Sequence, residues 1–586
     1  MGLLKGQLSF INLYNPLIPD KEYDEKGIPI GILADISSPF VDNTGNERYV
    51  AVYRPSTIEP MLLTYGLYVV GDIRNYSDID TLLKEYDLEY LAESKKAFIV
   101  FLLPNAFGKE ETDPLWSDDD IDFINMALSA GKIGYLFPGR EKIHDFKMGI
   151  VGSDSGANIT QKTCALHPEH TNSMLIFGGS LSTKELENAG NGGEQFVWLV
   201  NTEGDCKDFW IKANNLEISM GVSNGNETFW SEKDNPAKQV IITVNEKGES
   251  IQRDILIRFW DNYFAGNIRV PNLGCGNVFN WEYLIKKDKP VLHVNDTSLG
   301  DNGSIPHTWI EFIPQAIKES SVGERYPLII EMHGGGCNPF TSVAKDQFQE
   351  LGKTKGFITV YANASTNNSW NSILLDSRPS DLDFIVALTQ YLISCYPIDS
   401  ERVYISGFSN GSGMAHLMAA VRPDLYAGLI AFNTRYKIND AFISASAKAK
   451  SFYDYRMPVF STYGTKDAEW PLKAGCGQFS QMNFWKKFNN SEMPELASSD
   501  VSGIGAPGDI VKKWGNYGEN CESIFTTHSF RSKDPSGICF YNYTVVNGLP
   551  HTVERRLIPA AWNFVSQFHR LSDGSLKYIK CGDSII

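Results

Sequence analysis

The chain has 586 residues, too many for one compact core, so about two to four domains are expected. Hydrophobic residues make up 42% and charged residues 21%, the ordinary balance of a globular protein. The net charge of −17, spread without long runs of like charge, leaves no basic excess to neutralise phosphates, which argues against nucleic acid and anionic membrane as partners.

In chain order, Met1 to Gln7 lacks the basic start, apolar run and small-residue cleavage site of a signal peptide. No stretch approaches the roughly 18 apolar residues of a membrane span. The plain reading is a cytoplasmic protein; a secreted one whose leader is missing from the sequence would look the same. Nine cysteines lie scattered between Cys164 and Cys581 with no Cys-x-x-Cys pair. That pattern suggests neither a zinc site nor a dense disulfide framework.

The first half carries an apolar strand, Phe98 to Leu102, that runs into Leu103 to Gly108. The pentapeptide Gly152-Ser153-Asp154-Ser155-Gly156 follows further on. A glycine- and proline-containing stretch, Gly266 to Gly276, reads as the domain boundary, giving domains 1–265 and 266–586. From Pro327 onward, strand and helix patterns alternate. Buried strands are predicted at Pro327 to Met332, Phe357 to Tyr361, Val403 to Ser406, Leu429 to Phe432, Pro458 to Tyr463 and Tyr541 to Val546. Helical spacing appears over Leu382 to Ser394, after Asn410, and from Val553 to His569, where Pro559 marks a kink or the true start. Such repeated units predict an α/β fold with a mostly parallel sheet and helices on both faces. Functional groups then sit at the carboxyl ends of the strands.

The first half repeats this order in weaker form. Gly152 to Gly156 aligns with Gly407-Phe408-Ser409-Asn410-Gly411, and without a gap His167-Pro168-Glu169 falls on Arg422-Pro423-Asp424. Val197 to Asp205 lies along Val459 to Asp467. Val244-Asn245 matches Val546-Asn547, and that register carries Trp260 onto Trp562. Several matches in one order predict an internal duplication.

Ser409 occupies the centre of Gly-x-Ser-x-Gly between an apolar strand and a helical pattern, the context of a nucleophile elbow. The glycines let neighbouring chain pass close, and the turn lifts the hydroxyl above the sheet beside the amides of a helix start. His333-Gly334-Gly335-Gly336 follows the strand ending at Met332. There the N–H of Gly334 or Gly335, with that of Asn410, could bind an oxyanion. His333 itself reads as structural. Asp467, just past a strand, can orient an imidazole, with Glu469 as its nearest rival. His551, in the loop after the last strand, can take the serine proton, with His528 as runner-up. The order Ser409, Asp467, His551 is that of α/β-hydrolases.

The run Asp383-Phe384-Ile385, Tyr396-Pro397-Ile398-Asp399, Arg402-Val403-Tyr404-Ile405, the elbow and Arg422-Pro423-Asp424 resembles the polyhydroxybutyrate depolymerase and feruloyl esterase group of α/β-hydrolases. The loop Asn367-Asn368-Ser369-Trp370 resembles that group as well. The resemblance covers roughly Pro327 to Arg570. It implies carboxylic-ester hydrolysis through an acyl-enzyme on Ser409, without metal or organic cofactor; with the internal duplication, the chain reads as tandem α/β-hydrolase-like domains. Members act on acetyl, feruloyl or polyester substrates, so a small-molecule or polymer ester is the expected partner. Members commonly carry alanine and glycine after the serine; here Asn410-Gly411 follows, which puts a polar group at the pocket floor.

In the first copy Asp154 replaces the nucleophile and Glu249 the base, with Asp205 in the place of Asp467. Residues 1–265 therefore read as an inactive hydrolase-like domain that buttresses the active one, covers its cleft or forms a homo-oligomer surface. A rival reading gathers Asp154, Asp205 and Glu249 as a metal or acid/base site. Trp370 and Trp470 are candidates to line an acyl or aryl pocket. The segment Lys473 to Pro535 reads as a loop-rich insertion, a candidate lid. Within it, Gly503 to Gly508 matches dinucleotide-binding spacing by letter but reads as a flexible loop. Two other functions compete: a serine peptidase on the same fold, against which no repeated propeller blades precede the hydrolase, and a non-catalytic scaffold with both copies degenerate.

Overall fold

The computed structural model describes residues 31–580, apart from 42–46, 57–63, 108–114, 134–142, 144–146, 246, 249, 271–275, 300–304, 367, 376, 435–437, 469, 471–475, 494–507 and 516–523. The described residues form two compact units, the first reaching Leu284 and the second starting at Ile285. No described helix is long and apolar enough to cross a membrane.

The first unit is built on ten strands: β1 (Gly31–Val41), β2 (Glu47–Arg54), β3 (Gly66–Val70), β4 (Phe98–Leu102), β5 (Met148–Ser153), β6 (Ser173–Phe177), β7 (Phe196–Val200), β8 (Val222–Asn224), β9 (Glu227–Glu232) and β10 (Asn235–Thr243). Their order across the sheet is β1-β2-β4-β3-β5-β6-β7-β10-β9-β8. A hairpin of β11 (Asn267–Val270) and β12 (Asn277–Asn280) follows.

The second unit uses β13 (Val291–Asp296), β14 (His307–Phe312), β15 (Tyr326–Met332), β16 (Ile358–Ala362), β17 (Ile398–Phe408), β18 (Gly428–Phe432), β19 (Val459–Gly464), β20 (Ile510–Trp514), β21 (Phe525–Arg531) and β22 (Cys539–Val546). Their order is β13-β14-β16-β15-β17-β18-β19-β22-β21-β20, that of the first unit strand for strand. The central six strands of each sheet are parallel, and the flanking ones antiparallel. A shared order across ten strands is a far more specific sign of duplication than the local sequence matches.

The domain boundary falls later than the glycine-containing stretch predicts. The β11-β12 hairpin belongs to the first unit because buried polar groups tie it there. Asn172 Nδ2 donates to the Asn267 carbonyl at 2.7 Å, and Arg269 Nε donates to the Thr171 carbonyl at 2.6 Å. From the other strand, the Val278 carbonyl accepts Asn235 Nδ2 at 2.8 Å. Leaving such groups unpaired in the interior would cost about 1–3 kcal/mol each.

In the second unit, successive residues of β15 serve two cores, as strand pleating requires. Leu328, Ile330 and Met332 pack with the helix Asp381–Cys395 and the helix Asn410–Val421. Ile329 packs on the opposite face with Phe408 and the helix Ile558–Val565. That last helix begins next to Pro559, so the proline marks its start and not a kink. The segment 473–535 departs from the loop-rich lid expectation. Its described parts are the helix Gly477–Phe488, whose Met482 and Trp485 are fully buried, and strands β20 and β21, which extend the sheet. Residues 473–475, 494–507 and 516–523 of that segment, including Gly503 to Pro507, lie outside the described residues.

Candidate active site

β17 ends at Phe408, and the helix Asn410–Val421 starts two residues later, with Ser409 alone between them. Ser409 makes this reversal with φ 55° and ψ −115°, a strained conformation for a residue with a Cβ. The glycines of the pentapeptide are needed for close approach. A Cβ on Gly411 would lie 2.1 Å from the Met332 carbonyl oxygen, and one on Gly407 would lie 2.4 Å from the Gly411 backbone.

The acid and base loops are stitched together before they reach the serine. Lys466 N–H donates to the Leu549 carbonyl at 3.0 Å, and Gly548 N–H donates to Thr465 Oγ1 at 2.8 Å. Gly464 allows this approach, since a Cβ there would meet the Leu549 oxygen at 2.1 Å. Across the paired loops, His551 Nδ1 lies 2.6 Å from Asp467 Oδ2, and His551 Nε2 lies 2.8 Å from Ser409 Oγ. Asp467 Oδ1 accepts the Ala468 N–H at 2.6 Å. The Asp467 side chain is fully buried, whereas His551 keeps 27% of its side-chain surface exposed. An ionised carboxylate fixes the proton on Nδ1, leaving Nε2 bare to accept from the serine hydroxyl.

Of the rivals, His528 lies on β21 and is buried, its pKa lowered to about 4 by burial, and it makes no contact with Ser409 or Asp467. Glu469 lies outside the described residues.

The glycine loop is braced by His333. Ala364 N–H donates to His333 Nε2 at 3.1 Å, so the ring proton sits on Nδ1 and donates to the Gly334 carbonyl at 2.7 Å. Burial lowers the His333 pKa to about 4, so the ring stays neutral. Gly334 and Gly335 lie against the elbow: added Cβ atoms would sit 3.6 Å from Ser409 Cβ and 3.3 Å from Asn410 Cβ.

Trp370 is placed differently from the pocket-lining expectation. It is only 1% exposed, sits in the core, and its indole N–H donates to the His333 carbonyl at 2.8 Å. Its ring is a strut beneath the glycine loop. Trp470 is half-buried, and its N–H donates to the Asp467 carbonyl at 3.1 Å, next to the site.

Two contacts have no clear forerunner in the sequence. The Phe408 ring lies 4.9 Å from the His551 ring and 3.7 Å from the Lys345 ammonium, a cation–π contact. Asn433 donates through Nδ2 to the carbonyls of Pro550 and Thr552 at 3.2 and 2.7 Å. Its only sequence signal is an asparagine directly after an apolar strand, a residue type that tolerates positive φ.

The ladders fix the strand equivalences in the first unit and correct the base position. Val70 pairs with Gly152 as Met332 pairs with Gly407, so the counterpart of β15 is β3, and Phe98 to Leu102 answers to β16 instead. Asp72 therefore stands where Gly334 stands. Thr243 pairs with Val200 as Thr544 pairs with Thr462. Counting on from that strand brings Ser250, and not Glu249, to the His551 position. Glu249 lies outside the described residues. Ser155, the counterpart of Asn410, donates its N–H to Asp72 Oδ1 at 3.1 Å and its hydroxyl to the same oxygen. Asp154 has φ 49°, the strained elbow geometry, and accepts the Ser250 hydroxyl at 3.1 Å. Asp205 accepts the Thr183 N–H at 2.7 Å. Among the described residues no group of three His, Cys, Asp or Glu converges as metal ligands.

Residues 380–502 match the Phospholipase/Carboxylesterase family model. The second unit has the α/β-hydrolase fold and is similar to esterases. The hydrolase unit is 28% identical over 138 residues to an acetylxylan esterase of Coprinopsis cinerea, covering 22% of this chain and 36% of that one. It is 26% identical over 141 residues to feruloyl esterase B of Talaromyces funiculosus, covering 23% and 38%. It is 29% identical over 110 residues to poly(3-hydroxyalkanoate) depolymerase C of Paucimonas lemoignei, covering 17% and 26%. The matches thus span about a quarter to two-fifths of these relatives. Among solved structures, an acetyl xylan esterase from Aspergillus awamori aligns with TM-score 0.34 and 16% identity, over 45% of this chain and 94% of that one. The chain resembles the feruloyl esterase and polyhydroxyalkanoate depolymerase group.

Proposed function

We propose that the hydrolase unit cleaves carboxylic esters through an acyl-enzyme on Ser409. The observation that carries this reading is the pair of hydrogen bonds on His551, 2.8 Å to Ser409 Oγ and 2.6 Å to Asp467 Oδ2. Ser409 Oγ attacks the ester carbonyl carbon while its proton passes to His551 Nε2. Asp467 stabilises the imidazolium without taking its proton. Backbone amides at Asn410 and at Gly334 or Gly335 receive the oxyanion, each worth about 2.7–4 kcal/mol of transition-state stabilisation. Collapse expels the alcohol, protonated by His551. Water activated by the same imidazole then attacks the acyl carbon, releasing the acid and restoring the serine.

In this reading the first unit is catalytically silent. Its elbow carries a carboxylate at the nucleophile position, and Asp72 fills the amide cradle with negative charge where an oxyanion would have to develop. The hydroxyl of Ser250 cannot substitute for a neutral imidazole.

Acetyl, butyryl and feruloyl p-nitrophenyl-type esters, assayed with wild type and Ser409→Ala, test the proposal. Turnover that vanishes in Ser409→Ala supports it, and wild type inert towards every ester and towards a fluorophosphonate probe sinks it. Peptide cleavage with negligible ester turnover would assign the site to amide hydrolysis instead.

A further inference from the structure

We infer that Asn433 is a positioning residue for His551, a role that rests on the esterase reading above. The carboxyl end of β18 touches all three arms of the site. The Phe432 carbonyl accepts the Ser409 N–H at 2.9 Å, on the nucleophile side. The Asn433 N–H donates to the Thr462 carbonyl at 3.0 Å, on the strand that leads to Asp467. The side chain then reaches the base loop, where Nδ2 donates to the carbonyls on either side of His551, Pro550 at 3.2 Å and Thr552 at 2.7 Å.

A single amide that spans both flanking carbonyls restricts the hinge on which the imidazole swings. Asn433 is fully buried and has φ 46°, and its Oδ1 is buried without a hydrogen-bond partner among the described residues. Both the strained φ and the orphaned acceptor cost free energy, and the two bonds to the base loop are what the side chain makes in return.

The first unit supplies an internal control. Phe177 pairs with Val200 as Phe432 pairs with Thr462, so Gly178 is the counterpart of Asn433. Gly178 keeps the backbone feature, with φ 75° and an N–H bond to the Val200 carbonyl at 2.8 Å. The amide clamp is therefore missing in the copy whose base position holds Ser250, and present in the copy where it holds His551.

Glycine at 433 removes the clamp while allowing the left-handed φ, and aspartate presents oxygens to two carbonyls. For Asn433→Gly in the full chain, kcat on a short p-nitrophenyl ester should fall about 10- to 100-fold with KM nearly unchanged, because slight misplacement of the base costs chiefly the chemical step. Asn433→Asp should lose at least as much. Labelling of Ser409 by a fluorophosphonate should slow in parallel, while the variant still unfolds in one cooperative transition above the assay temperature despite the two lost hydrogen bonds. Wild-type kcat in Asn433→Gly, with turnover still abolished by Ser409→Ala, overturns the positioning role and leaves the esterase reading intact. A loss of kcat/KM that comes from a rise in KM alone, with kcat unchanged, also overturns it. A wild type without ester turnover, or a Ser409→Ala variant that keeps it, overturns both.

Discussion

The Asn410 side chain grips the backbone of Trp370 on both sides: its Oδ1 accepts the Trp370 N–H at 2.6 Å, and its Nδ2 donates to the Trp370 carbonyl at 3.3 Å. The residue after the nucleophile thus ties the elbow helix to the loop that supports the glycine strand. Asn410→Ala keeps the backbone N–H and deletes this grip. Among the described residues, the hydrogen bond left to Trp370 is that of its indole to His333. A third, longer bond from Nδ2 to Ser372 Oγ at 3.4 Å goes too, so the expected loss is about 1–3 kcal/mol of stability. Discrimination between short and bulky acyl groups should also shift, because the loop beside the elbow gains freedom. Urea unfolding and an acyl-chain series of esters measure both effects.

The contact of Asp467 with His551 Nδ1 predicts a tautomer defect in Asp467→Asn. An amide in place of the carboxylate can accept no charge and favours the ring proton on the other nitrogen, facing Ser409. The serine hydroxyl then has no acceptor. A fall in kcat of about 10³- to 10⁴-fold is expected, with KM changed little. Steady-state kinetics above neutral pH check it, and a fall of less than tenfold would show that the carboxylate is dispensable.

The second unit is readable from sequence because its strands are apolar on both faces and its chemistry sits at their ends. The strand starting at Val403 and the pentapeptide after it announce each other, and His551 is marked by following the last parallel strand. The buttresses are less legible. Trp370 reads as a pocket residue because an aromatic in a loop gives no hint that its ring turns inward to donate to His333. Asn433 acts on a segment more than a hundred residues away, and only the fold brings them together. The register of the first unit fails by one residue past β10 because the loop there has lost the base that would anchor an alignment. At β3 the sequence offers no register at all, because Gly71-Asp72 preserves no glycine triplet.

Buried histidines predict an acid-sensitive fold. His528 is held down to about 4 by burial and His416 to about 3, also by burial. An unfolded chain binds these protons near pH 6.5, above the folded values, so the unfolded state carries more protons in that window and stability falls as pH drops from about 6.5 to 4. Glu331, raised well above its ordinary value by burial and by Asp346, works in the opposite sense: it loses stability as pH rises. His528 has no hydrogen-bond partner on either ring nitrogen among the described residues, so leucine there removes a titrating group without orphaning another of them. His528→Leu should keep ester turnover and gain up to about 3 kcal/mol relative to wild type near pH 4. Urea titrations at pH 7 and pH 4.5 measure this, and an identical acid slope in both proteins would refute it.

The Asp72 carboxylate on the Ser155 amide predicts separable behaviour of the two copies. It caps the start of the helix Gly156–Leu166, where negative charge is favourable. Asp72→Ala should destabilise the first unit by about 1 kcal/mol, since both the cap and its charge are lost. Ester turnover should stay at the wild-type level, because the proposed chemistry lies wholly within the second unit. Removing the carboxylate empties the amide cradle but leaves Asp154 as a poor nucleophile and Ser250 without basic character. A fluorophosphonate should therefore label Asp72→Ala at Ser409 alone, and the double variant Asp72→Ala, Ser409→Ala should take no label. Mass spectrometry of labelled peptides decides the matter: a modified serine in the peptide around Gly152 to Gly156 would show that the first copy keeps reactive machinery that Asp72 suppresses.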